Sequence, residues 1–477
     1  MSESVSASPA SREAASPAPD PAVPDRTRAQ SARSIAAASA GTFIEWYEYG
    51  LYSFVAGLVI APLYFSAAGS LAVLATFVTF AVGFVARPVG GIVLGAAGDR
   101  FGRRPVLIFS IVLMGLATTG IGLLPPFAAI GVWAPVLLVV FRIVQGFGAG
   151  AELSAAMIFV SESTRKRGKG LSGALLNSGS IMGSIVAVVL FTILSSSLPG
   201  DAFLQWGWRI PFLLGAVLTV IGVLMRRGLG ESPEFERVRA ERRSGRITEA
   251  RANPLVALGR AFRANPRNFV ASFLLPSGLN VTAFVAQAFG ISYLSTQIGL
   301  TPTQTLSVTL TMMGVGVFAL LFWGWLADRI GAKRVLLIGT VAGIPLAFLY
   351  FVLLQTGNLA LIIVAAVLLW SVGWAAALTA QVVLLPALFR TEYRGSGMTS
   401  SRELQGGLIA GPAPLIASAL ALALGGAPWL VAIYIASAQV VTLIGVVLAR
   451  PLLSRREIDE VTAHRGLRPV DDVPTAS

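Results

Sequence analysis

The chain has 477 residues, of which 55% are hydrophobic and only 12% charged, with a mean hydropathy of +0.76; a soluble protein of this size carries about twice that charge. It contains no cysteine, which excludes disulfides and thiolate metal centres, and its single histidine, His464, sits near the C-terminus, away from any metal-ligand or triad spacing. A net charge of +13 raises nucleic acid as a partner, until the positions of that charge are read.

Residues 1–33 are rich in Ala, Ser and Pro without an apolar core, and read as a disordered cytosolic tail with no signal peptide. A bilayer-crossing helix needs about 20 mostly apolar residues. Six such stretches follow, at 34–60, 72–97, 106–124, 133–160, 171–195 and 210–228. The charged segment 230–267 is a cytosolic central loop. Six more spans lie at 269–297, 304–327, 335–354, 359–387, 397–423 and 428–449, and a polar tail runs from 451 to 477. The expected domains are an N-terminal half, 34–229, and a C-terminal half, 268–450. The fold class is an all-α integral membrane protein with 12 transmembrane helices in two six-helix halves.

Basic residues orient it. The turns near 61–71, 124–133, 298–303, 355–358 and 424–427 hold no Lys or Arg, and 196–209 holds only Arg209. The alternate turns carry Arg100, Arg103 and Arg104; Arg165, Lys166, Arg167 and Lys169; Arg329, Lys333 and Arg334; and Arg390 and Arg394. Both termini are therefore expected in the cytosol, and the positive charge serves orientation, so no nucleic acid partner is expected.

The halves echo one another. GAAGDRFGRRPVLI begins at Gly95 and GWLADRIGAKRVLL at Gly324, an offset of 229 residues. Asp99 and Arg100 thereby pair with Asp328 and Arg329, and Gly102 with Gly331. Parallel six-helix repeats suit a protein that handles a ligand at the midplane between its halves. The pattern G-x-x-x-D-R-x-G-R-R, here Gly95, Asp99, Arg100, Gly102, Arg103 and Arg104, resembles the signature loop of the major facilitator superfamily. That resemblance implies the major facilitator fold and a cytosolic gate whose ion pairs, at this loop and at Asp328 and Arg329, break and reform as the halves rock.

Three further stretches, GTFIEWYEYGLY (41–52), FRIVQGFGAGAE (141–152) and FLQWGWRIPFLLG (203–215), resemble the metabolite:proton symporter branch of that superfamily. Two small departures are Glu48 where the branch usually has Asp, and Ala151 where Gly usually precedes the Glu. The branch implies uptake of an organic acid with protons, or of an osmolyte such as proline or betaine. An exporter of the same fold is a further alternative, and a membrane enzyme is not expected.

Charges inside the spans carry the chemistry. A buried ionised group costs several kcal/mol unless it faces an interior or a watery cavity. At about 1.5 Å per residue, Glu45, Arg87 and Glu152 share one layer near the midplane, and Arg142 lies about 15 Å further out than Glu152 on the same helix. Glu48, Glu152 and Glu45 are the expected proton carriers. A guanidinium fork matches a carboxylate, so Arg142 and then Arg87 are expected to hold substrate, with Tyr47 and Gln145 beside them; Arg87 is alternatively a partner of Glu45 or Glu152. Arg402 and Glu403 lie about 10 Å from the cytosolic end of their helix, within snorkelling reach of it. The expected partners are a carboxylate, protons and the lipid bilayer. The chain is expected to act as a monomer in the cytoplasmic (inner) membrane, with no metal and no cofactor beyond the proton gradient.

Overall fold

The computed structural model describes residues 28–101, 103–150, 169–199, 201–227, 254–389 and 391–450. The expected tails before 28 and after 450, and most of the central loop, lie outside them. All regular structure among the described residues is helical. The six helices of the first half are α1 (Arg28–Val55, continuing to Tyr64), α2 (Ala72–Phe101), α3 (Arg103–Leu123), α4 (Trp133–Ala149), α5 (Lys169–Ser197) and α6 (Arg209–Arg227). The second half has α7 (Pro266–Thr296), α8 (Pro302–Ile330), α9 (Ala332–Leu354), α10 (Leu359–Ala387), α11 (Thr391–Gln405, continuing to Ala423) and α12 (Trp429–Leu448).

Ten of the twelve are long and apolar enough to cross a bilayer within the described residues. The other two are α1, which carries the two glutamates, and α4, which is described only as far as Ala149. The spans agree with the sequence expectation to within a few residues at most ends. Two differences are larger. Helix α1 begins at Arg28, inside the expected disordered tail, and a separate helix, Pro254–Ala264, occupies the end of the central loop.

Local chemistry sets the ends. Thr301 caps α8 in a reciprocal box with Gln304, and Pro302 fills the first helical position, where no N–H is needed. The same helix stops at Gly331, whose φ of 92° is a conformation that a side chain would strain. Asn358 caps α10 by accepting from the backbone N–H groups of Ala360 and Leu361.

The helices are apolar outside and polar inside. On α2, Val78, Val85, Val89 and Val93 face outward, whereas Thr76, Thr79 and Arg87 are buried. Lipid rewards that inversion, because a polar group in hydrocarbon has no water to bond.

Small residues bring the helices close. A Cβ on Gly146 of α4 would lie 1.8 Å from the Gly83 carbonyl oxygen of α2, so only glycine permits this crossing. Likewise, a Cβ on Gly183 of α5 would lie 2.2 Å from the Phe43 carbonyl oxygen of α1.

Helix α1 packs along α5 and α5 along α8, while α2 packs against α11, so the two halves meet along the molecule's middle. Helices α1 and α7 each contain a π-helical turn, Ala56–Ile60 and Val285–Phe289. These turns stand at the same 229-residue offset as the signature loops, so the repeat extends to local backbone geometry.

Candidate functional site

At the boundary between the halves, one guanidinium holds two carboxylates. Arg87 of α2 donates from Nη2 to Glu45 Oε1 of α1 at 2.8 Å and from Nε to Glu403 Oε2 of α11 at 3.0 Å. A longer contact reaches the Ala149 carbonyl at 3.4 Å. All three charged side chains are buried, and Arg402 Nη1 approaches Glu403 Oε1 at 3.4 Å. Among the described residues, two guanidinium groups and two carboxylates thus form one cluster that joins α1, α2 and α11. Buried charges are tolerated in this way only when paired and hydrogen-bonded.

A second buried chain runs inside the N-terminal half. Arg142 Nη1 donates to Gln145 Oε1. Gln145 Nε2 donates to Thr118 Oγ1 at 2.8 Å, and Thr118 in turn donates to Glu48 Oε2 at 3.0 Å. Glu48 therefore connects to Arg142 through an amide and a hydroxyl, tying α1, α3 and α4. The Arg142 guanidinium lies 4.1 Å from the centre of the Tyr52 ring, with Phe80 and Tyr49 next at 5.4 and 5.6 Å. Tyr49 also lies 5.1 Å from the Arg87 guanidinium, so one ring touches both clusters.

A narrow cavity lies between the halves. Its wall includes Trp46 of α1, Asn177, Ser180 and Ser184 of α5, Asn280 and Gln287 of α7, Trp370, Trp374 and Gln381 of α10, and Arg402 of α11. A smaller cavity shares Trp46, Asn280 and Arg402 with it and adds Tyr49, Arg87 and Glu403. Trp46, Asn280 and Arg402 therefore border both spaces.

The expected site residues divide. Arg87 and Glu45 come together, and Arg87 reaches the smaller cavity. Arg142, Gln145 and Glu48 also come together, but within the first half and on the wall of neither cavity. Tyr47 is fully buried and donates to the Pro211 carbonyl of α6 at 2.7 Å, again away from both spaces. Glu152 lies outside the described residues.

Arg402 and Glu403 do not snorkel. Their side chains are 14% and 4% exposed, because Arg87 and the cavity supply a polar environment inside the bundle. Thr118 gives no signal in the sequence, because one threonine among many apolar residues of a span carries no pattern. The midspan amides Asn280 and Gln381 do bond other elements, Asn280 to Gln405 Oε1 at 2.7 Å and Gln381 to the Leu275 carbonyl at 3.1 Å, and they also line the cavity.

At the face with the basic turns, Asp328 closes the halves together. Its carboxylate accepts from the backbone N–H groups of Gly170 and Leu171, at 2.8 and 3.1 Å, and so caps the start of α5 from the end of α8. Backbone donors thus take the place of the expected basic partners among the described residues. Arg329 stacks over Trp325 of its own helix at 4.0 Å. Gly95, Asp99, Arg100, Arg103 and Arg104 lie where α2 ends and α3 begins, and Gly102 between them is outside the described residues. At the opposite face, a Cβ on Gly57 of α1 would lie 3.0 Å from Ser292 Oγ of α7, so the halves touch there too.

Twelve helices in two repeated halves, with a cavity between the halves beside buried ion pairs, define a multi-pass membrane transporter. The chain belongs to the Major Facilitator Superfamily, whose sequence profile matches residues 38–401 and 278–470. It is 32% identical over 397 residues to the shikimate transporter of Escherichia coli (strain K12), covering 83% of this chain and 89% of the relative. It is also 32% identical over 386 residues to the proline/betaine transporter of the same strain, covering 81% and 77%. The solved structure of the proton:xylose symporter XylE superposes with a TM-score of 0.68 at 16% identity, over 90% of this chain and 98% of that one, which shows the shared fold.

Proposed function

We propose that this transporter takes up a small organic carboxylate together with protons across the cytoplasmic membrane, with both termini and the basic turns in the cytosol. The observation that carries the reading is the buried bridge Glu45–Arg87–Glu403, which spans the two halves beside a cavity that Arg402 lines. Rocking of the halves must break the Arg87–Glu403 contact. Neutralising a carboxylate by protonation lowers the energy of that step, because the pair no longer leaves a bare charge behind. Glu48, Glu152 and Glu45 are the candidates to take the proton, and Glu403 joins them because it forms the contact between the halves. Arg87 and Arg402 supply the positive charge for the substrate, while Arg142 acts on Glu48 through Gln145 and Thr118. The Asp328 cap and the Gly57–Ser292 contact are the gates at the two faces. The transporter works as a monomer without a cofactor, driven by the proton gradient.

A second reading has its own support. Indole faces hold quaternary ammonium groups, and Trp46, Trp370 and Trp374 stand on the cavity wall. Together with the proline/betaine relative, they fit a zwitterionic osmolyte.

Uptake into proteoliposomes under an imposed inward proton gradient separates the two. The panel comprises shikimate, other mono- and dicarboxylates, proline and betaine. Carboxylate uptake abolished by a protonophore supports the first reading. Uptake of proline or betaine alone moves the assignment to osmolytes, and uptake indifferent to the gradient refutes proton symport.

A further inference from the structure

We infer that Arg402 is the anchor for the substrate's carboxylate, and that Glu403, the next residue, carries the coupled proton, so that one proton enters with each carboxylate docked on Arg402. The inference rests on the proton-symport reading above and goes further by assigning both partners to one dipeptide of α11.

The geometry sets it up. Arg402 lines both cavities, whereas Arg87 lines only the smaller one and Arg142 neither. Arg402 is also the less firmly held of the two cluster arginines. Its contact to Glu403 is 3.4 Å, against 2.8 and 3.0 Å for the two carboxylate contacts of Arg87. On the same wall, Asn177 Nδ2 and Ser180 Oγ are buried and have no partner among the described residues. Buried donors of this kind select a ligand with acceptors, such as a carboxylate or hydroxyl oxygen.

Charge accounting then couples substrate to proton. Among the described residues, Glu45, Arg87, Arg402 and Glu403 sum to zero. A monocarboxylate docking on Arg402 brings a net negative charge into a buried site, which is unfavourable. It also displaces Glu403 from Arg402, leaving Glu403 with Arg87 alone, which Glu45 already shares. Glu403 then takes one proton on its carboxylate. The cluster returns to neutrality with substrate bound, and the inter-half contact to Arg87 becomes a bond to a neutral acid.

The charged and titratable groups facing Glu403 fit this role. Among the described residues they are Glu45 and Tyr49 from α1, Arg87 from α2 and Arg402 from α11 itself. Helix α7 presents Asn280 there, and the helix Pro254–Ala264, packed on the start of α11, carries Arg260 and Arg263.

Purified full-length protein in proteoliposomes provides the test, with labelled shikimate as the monocarboxylate probe and labelled proline as the zwitterionic one. In the wild type, a pH gradient drives shikimate uptake, and a membrane potential at zero pH gradient does not. If proline is the substrate instead, its carboxylate displaces Glu403 in the same way and the same potential drives uptake, because proline plus a proton is a net cation. Glu403→Gln loses at least about tenfold in gradient-driven accumulation while counterflow exchange continues, and Glu403→Asp recovers part of the accumulation. Arg402→Gln raises the KM for either probe by about tenfold or more, as expected for loss of a charge-assisted hydrogen bond, and Arg402→Lys recovers part of it.

Four results would overturn the inference alone: gradient-driven accumulation that survives Glu403→Gln, loss of exchange together with accumulation in that variant, an unchanged KM in Arg402→Gln, or shikimate uptake driven by potential. Wild-type vesicles in which a proton gradient drives uptake of neither probe would overturn the symport reading with it.

Discussion

Arg87 of α2 and Glu403 of α11 meet at 3.0 Å, although 316 positions separate them in the chain. The contact bridges the two halves in the depth of the bundle, and Glu45 completes it from α1. Replacing Arg87 with Gln leaves two buried carboxylates facing one another, a change that destabilises by about 3–5 kcal/mol when one partner of a buried pair is removed. Thermal unfolding in detergent should show a clear drop in Tm. The double variant Arg87→Gln, Glu403→Gln should regain part of it, without regaining gradient-driven uptake. A Tm equal to that of the wild type would mean that the bridge does not bear on stability.

Thr118 is the middle of the chain from Glu48 to Arg142. Thr118→Val keeps the shape and removes both the donor to Glu48 and the acceptor for Gln145. A loss of about 1–3 kcal/mol is expected from leaving buried polar groups short of a partner, together with reduced gradient-driven uptake. Normal stability with reduced uptake would confine Thr118 to proton handling; normal values for both would remove it from the site.

The crossing of α2 and α4 depends on Gly146. Gly146→Ala places a methyl group inside the Gly83 carbonyl, and overpacking of this kind costs about 1–3 kcal/mol. Gly314→Ala, where nothing lies within 4 Å of the new Cβ, is the matched control and should be neutral. Equal melting temperatures for the two variants would contradict the close approach.

The face opposite the basic turns offers a cross-link on a cysteine-free background. A Cβ on Gly57 would lie 3.1 Å from the Ser292 Cβ, slightly inside the roughly 3.8 Å usual for a disulfide. The pair Gly57→Cys, Ser292→Cys should form a bond under oxidant, stop uptake and recover with reductant, while each single cysteine is insensitive to oxidant. Continued transport by fully cross-linked protein would show that this contact need not open.

Much of the architecture was legible in residue order. The span count follows from the length of apolar runs, and the repeat from the paired loops at Gly95 and Gly324. The layer containing Glu45 and Arg87 follows from helical rise. The arginine that faces the cavity was not legible in the same way. Rise per residue gives depth along a helix, but not the direction in which a side chain points around its axis. Arg142 has the right chemistry for a carboxylate, yet α4 packs against α2 through Gly146 and turns that guanidinium into the rings of Tyr52 and Phe80. Arg402 lies within snorkelling reach of its helix end, yet α11 packs on α2 and turns its neighbour Glu403 toward Arg87.

Amino-acid order by itself thus determined the membrane-spanning class, the two repeated halves and the charges that must find partners inside them, since hydrocarbon tolerates no unpaired charge whatever the packing. Only the tertiary structure decided the pairings, joining Arg87 to Glu403 across the halves and placing Arg402 on the cavity wall. Those outcomes depend on the rotation of each helix about its axis, which its packed neighbours impose and which no local pattern along the chain encodes.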